Sequence, residues 1–140
     1  MANFFIAFVK KIKVAFKFAF RKTFLHHHES LEFRAKFLAS LMLVDSKISR
    51  CEYELLEEIS KQIYKDDDER ATTLVNTTKE YITFTTDIEK LLINIYKMIQ
   101  ITPRYKEKID FEVIKKFKEC LMDKDDLEFY DKVEEFYKNI

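Results

Sequence analysis

Two carboxylates, Asp45 and Glu52, bracket the short stretch DSKISRCE, and their positions are the most chemically suggestive in the chain. Asp45 falls where a helix rich in leucine ends, a position at which the helix dipole disfavours negative charge unless turn N–H groups or a cation answer it. Glu52 falls in the first turn of the next helix, so a tight corner would bring the two acids together. A shared divalent cation and a purely local role compete for this pair. Ser49 and Glu52 have the spacing of a capping box, with Ile48 and Tyr53 placed for the hydrophobic staple, and Asp45 suits a turn-forming acid. A hard cation such as Ca²⁺ wants six or more oxygens, and Lys47 and Ser49 occupy positions where a calcium loop carries Asp or Asn.

Other reactive residues are sparse. The three histidines are consecutive, His26-His27-His28, which suits a polar hinge better than a metal site and adds positive charge below about pH 6.5. Asp66-Asp67-Asp68-Glu69 resembles a ligand cluster in composition but reads as the acid-rich start of a helix. Cys51 and Cys120 lack metal-ligand spacing and make no disulfide framework, so thiols in a reducing compartment are expected. Cys51 opens a helix, where the dipole favours thiolate, although a small apolar-face cysteine is the commoner case. With no histidine beyond residue 28, a Ser–His or Cys–His pair has no base nearby, and the chain is expected not to be an enzyme.

The elements that must position these residues are helical. Glycine is absent and Pro103 is the one proline, which excludes phosphate-binding loops, dinucleotide turns and nucleophile elbows and disfavours tight hairpins. Helices are expected near 30–44, from the Ser49 cap to about 65, from the Asp66–Glu69 run to about 84, and from a Thr86/Glu89 capping box through Ile99. Two more follow, from an Asp110 cap flanked by Ile109 and Ile114, and over 126–138. The first ends in Leu41-Met42-Leu43-Val44, apolar all round as a central helix would be. Six helices in about 110 residues suffice for a single core, an all-α bundle over 29–140.

The corner Asp45-Ser46-Lys47-Ile48-Ser49…Glu52, followed by Leu55, Leu56 and Ile59, resembles that of the TerB-like family, named for tellurite-resistance proteins. The resemblance covers residues 30–138. It implies a compact bundle of two related helical halves, a stress-response or interaction role coupled to membrane-associated systems or J-domains, and divalent-metal binding by acidic residues, of which Asp45 and Glu52 carry over. The family's turn glycine is Ser46 here, so altered turn geometry or a strained residue is expected. The second half reads Gln100-Ile101-Thr102-Pro103-Arg104-Tyr105 at the matching place, without an acid.

Residues 1–28 are of another kind. Phe4, Phe8, Ile12, Phe16 and Phe20 recur every four positions, with Phe5 beside them, while Lys10, Lys13, Lys17 and Arg21 share the opposite side. Six basic residues and no acid give this segment a charge of +6. The remaining 19 basic and 25 acidic residues give −6, the asymmetry expected of an arm with its own partner. An anionic membrane surface fits both faces of such a helix. Packing on its own bundle or on a protein partner or second copy would use the same apolar face. A nucleic-acid arm would not want so wide an apolar face. No apolar run approaches the roughly 20 residues that span a bilayer. The chain is expected to be cytoplasmic, peripheral to the inner face of the membrane.

Overall fold

The computed structural model describes residues 29–140. The amphipathic helix expected over 1–28, with its interface residues Phe4, Phe5, Phe8, Ile12, Phe16, Phe20, Lys10, Lys13, Lys17 and Arg21, lies outside the described residues, as do His26–His28. Six α-helices make up the described part: α1 Glu29–Met42, α2 Arg50–Ile63, α3 Asp68–Phe84, α4 Ile88–Ile101, α5 Phe111–Glu119 and α6 Lys124–Lys138. A 3-10 turn, Pro103–Lys108, links α4 to α5. There is no strand among the described residues, so the expected all-α class holds for them. Among them, too, no helix is long and apolar enough to cross a membrane.

α1 is the axis of the bundle. Leu31, Phe33, Ala35 and every residue from Phe37 to Met42 are buried, the last run as the apolar C-terminal part of the helix requires. It packs on α3, α4, α5 and the 3-10 turn. Its one fully buried hydroxyl is satisfied: Ser40 donates to the Phe37 carbonyl at 2.6 Å and bonds the Tyr137 hydroxyl. Each other element contributes to the same cluster, including Leu56 and Ile59, Leu74, Ile95 and Ile99, Tyr105, Ile114 and Phe117, and Tyr130, Val133 and Tyr137.

Most helix starts follow from their caps. Ser49 and Glu52 form the reciprocal capping box on α2. Asp67 accepts from the Arg70 amide at 2.9 Å and Asp110 from the Glu112 amide at 2.9 Å. Three differences from the sequence reading have local causes. The cap of α4 is Asp87, whose carboxylate reaches the Glu89 amide at 2.9 Å, and Thr86 lies outside the helix. Pro103 stops α4 but also opens the 3-10 turn, as a residue without an N–H is able to do. α6 starts two residues earlier than expected because Asp123 accepts from the amides of Asp125 and Asp126.

A candidate acidic corner

The connection between α1 and α2 begins with a backbone bond from the Asp45 amide to the Met42 carbonyl. The Asp45 carboxylate then accepts from the Lys47 amide at 2.9 Å, an Asx-turn that reverses the chain. None of the described residues has a positive φ, so the turn at Ser46 needs no glycine and carries no left-handed strain. Asp126, in the first turn of α6, reaches across to hold Ser46 by its amide at 3.4 Å and its hydroxyl at 3.3 Å.

Glu52 has no exposed surface. Its Oε1 accepts from both the amide and the hydroxyl of Ser49, each at 3.2 Å. Its Oε2 is buried and, as a carboxylate oxygen, has no donor. The Asp45 carboxyl lies within side-chain hydrogen-bonding reach of Glu52. Burial, then the bond to Asp45 and its negative charge, push Glu52 up to about 8, against the opposing pull of its bonds from Ser49. Glu52 is thus held as the neutral acid well above the usual carboxylate range, beside the Asp45 carboxyl.

Buried phenols stand behind this pair. Tyr130 of α6 donates to the Ile114 carbonyl of α5, and its own ionisation is pushed up by burial and by the nearby charges of Glu134 and Glu52. Its hydroxyl is therefore neutral across the ordinary pH range. Tyr137 is likewise pushed up by burial.

The cysteines complete the corner and correct an expectation. Cys51, beside Glu52, is joined to Cys120, the residue capping the end of α5, with 5.7 Å between their Cα atoms. They are not the free thiols of a reducing compartment, and Cys51 is exposed rather than set in an apolar face. The partners lie 69 residues apart in sequence, and packing of α2 on α5 brings them together. The ends of four helices meet here: α1 and α5 by their C-termini, α2 and α6 by their N-termini.

The pair predicted from sequence, Asp45 and Glu52, is therefore brought together, while Asp126 and the disulfide are additions that no local pattern announces. As ligands for a resident Ca²⁺ or Mg²⁺ the residues fit poorly. Glu52 Oε1 and one Asp45 oxygen are already acceptors for Ser49 and Lys47, and Asp126 is engaged by Ser46. No group of three His, Cys, Asp or Glu is gathered for a metal among the described residues. A surface groove of about 650 Å³ between α2 and α3 lies elsewhere and is lined by Glu57, Lys61, Asp68, Thr72 and Lys79 among others. It is an open, mixed-charge surface without a histidine or thiol. No family model, no curated protein and no solved structure matches the chain.

Proposed function

We propose that the chain is a non-enzymatic, TerB-like interaction module, recruited to an anionic membrane surface by residues 1–28, with the acidic corner kept as a structural remnant rather than a working metal site. The observation that carries this reading is the division of charge between residues 1–28 and the rest of the chain. Residues from Leu31 to Tyr137 bury one continuous cluster drawn from every described helix, which gives the bundle an interior of its own. A +6 segment is drawn to anionic lipid, while the −6 of the rest of the chain leaves most of the bundle's surface clear to meet a partner protein. The paired cysteines withdraw the argument from free thiols for an inner-face location, so the proposal concerns the anionic surface and not a side of the membrane.

Co-sedimentation with anionic and neutral vesicles tests it, using the full chain and a truncation beginning at Glu29. Binding that needs both anionic lipid and residues 1–28, and that weakens with salt, supports the reading. If neither form binds, and the truncation instead loses stability or changes oligomeric state, residues 1–28 belong to a protein core, and the chain is a soluble structural or self-associating protein.

A further inference from the structure

A second basic and apolar surface lies on the bundle itself. From Lys90 to Lys106 the chain has four basic residues, Lys90, Lys97, Arg104 and Lys106, and no acid. The rest of 29–140 holds 15 basic residues against 25 acidic ones, so this stretch stands apart from its surroundings. α4 turns Leu91, Ile95 and Ile99 into the core. The spacing of three and four residues then brings Lys90, Ile93, Lys97 and Ile101 out along one exposed face, with Tyr96 at its margin. Ile93 is 53% exposed and Ile101 83%, well beyond what a half-buried helix requires.

The face continues into the 3-10 turn, where Pro103, Arg104 and Lys106 are exposed. That turn is firmly seated. Tyr105 is buried and stacks on Phe33 of α1 with ring centroids 5.1 Å apart, and the Arg104 guanidinium lies 5.6 Å over the Tyr105 ring. The stacking ties the turn to the first turns of α1, the helix that residues 1–28 lead into. Cations gather here in spite of their repulsion: Lys108 is held below the usual lysine range by burial and by Arg34 and Arg104, with Glu107 opposing.

Charge selects among the occupants of such a face. A second copy related by symmetry would set Lys90 and Lys97 against themselves, and residues 1–28 would bring six more positive charges. Nucleic acid would leave Ile93 and Ile101 without a use, since its bases stack on aromatic rings. An anionic bilayer answers both halves of the pattern: aliphatic side chains enter the acyl boundary, Tyr96 suits the interface, and lysine and arginine meet headgroups. We propose that the outer face of α4, with Arg104 and Lys106 of the following turn, is a second membrane-contact surface that lies on anionic lipid beside residues 1–28. This rests on the membrane reading above and names the part of the bundle that faces the lipid.

The test uses the full chain with phosphatidylcholine vesicles, with and without phosphatidylserine. Lys97→Glu/Arg104→Glu alters two exposed side chains outside the core and, with fold checked by circular dichroism, weakens binding to the anionic vesicles at least about tenfold. The chain has no tryptophan, so Ile101→Trp is a clean reporter whose emission shifts to the blue on those vesicles and is quenched by brominated lipid. If the charge-reversed protein binds as the wild type does and Trp at 101 stays unquenched on bound protein, this face is not a contact, and residues 1–28 hold the membrane alone. Weakened binding without quenching also overturns contact, leaving only long-range attraction. If the wild type binds neither vesicle, both this inference and the reading beneath it fall.

Discussion

Glu52, fully buried at the start of α2, stands beside the Asp45 carboxyl on the turn that leads into that helix, and burial together with Asp45 holds its proton well above the usual carboxylate range. The pairing makes stability depend on pH in a direction opposite to that of most carboxylates. In the folded chain Glu52 keeps its proton up to about pH 8, whereas unfolded it loses it near 4.5. Between these values the native state binds the extra proton, so stability is fully present below about pH 4.5 and falls as pH rises through 8. The loss is on the order of a few kcal/mol. Glu52→Gln keeps an oxygen for Ser49 and offers an amide N–H to Asp45 without titrating. Denaturant melts from pH 5 to 9 should show this variant less pH-dependent than the wild type and more stable than it at the alkaline end. An unchanged pH profile would exclude a raised Glu52 as the source of the pH dependence.

Asp45 itself has two roles, separable by substitution. Asp45→Asn retains the side-chain oxygen for the Lys47 amide and removes the negative charge facing Glu52. The midpoint of the Glu52 titration should then fall by about one to two pH units while staying above the ordinary carboxylate range, because burial is the larger cause of its elevation. Carbon-detected NMR of the Glu52 carboxyl reads this directly. A midpoint that does not move would mean that burial acts alone.

The corner has too few unengaged oxygens to retain a hard divalent cation against water. Millimolar Ca²⁺ or Mg²⁺ should therefore leave Tm where an equal ionic strength of NaCl leaves it, at pH 6 and at pH 8. A rise specific to the divalent ion and abolished by Asp45→Ala would restore the metal that the TerB-like resemblance implies.

What the sequence made legible at this corner was local. The Ser49/Glu52 box, the turn-forming Asp45 and the apolar run that makes α1 central are all signals within four residues of themselves, and each is present in the fold. The closeness of Asp45 to Glu52 followed because only a short turn separates their helices. Asp126 holding Ser46 spans 80 residues and Cys51 with Cys120 spans 69. Such pairings are set by how α5 and α6 pack, and no periodicity in one helix encodes its neighbour. Asp126 reads from sequence as one more acid at a helix start. The capping-box spacing points to Thr86, but Asp87 one position on is the side chain that meets the free amides, a choice the fold makes.

Asp126 clips the corner from outside. Its two bonds to Ser46 are long and partly exposed, so Asp126→Ala should cost only about 1 kcal/mol. The informative readout is local: amide hydrogen exchange at Ser46 and Lys47 should quicken while the core helices, sampled at Leu38 or Ile95, stay protected. Uniform acceleration throughout would mean that the clip supports the whole bundle.

The disulfide acts on the same corner from the other side, and its contribution is larger. Joining residues 69 apart restricts the unfolded chain by about 4 kcal/mol in the loop-entropy account. Cys51→Ser or full reduction should lower Tm by roughly 15 °C for a domain of this size. Cys51 is exposed, so a soluble dithiol reaches the bond without unfolding of the bundle. Alkylation followed by mass spectrometry should find two thiols per chain after mild reduction and none before it, with helical circular dichroism retained at 25 °C. Since Cys51 adjoins Glu52, the reduced protein should also titrate Glu52 at lower pH, as a loosened first turn of α2 admits water to Oε2. An unaltered titration after reduction would show that the capping box and the packing of α6 hold the acid pair without the covalent link.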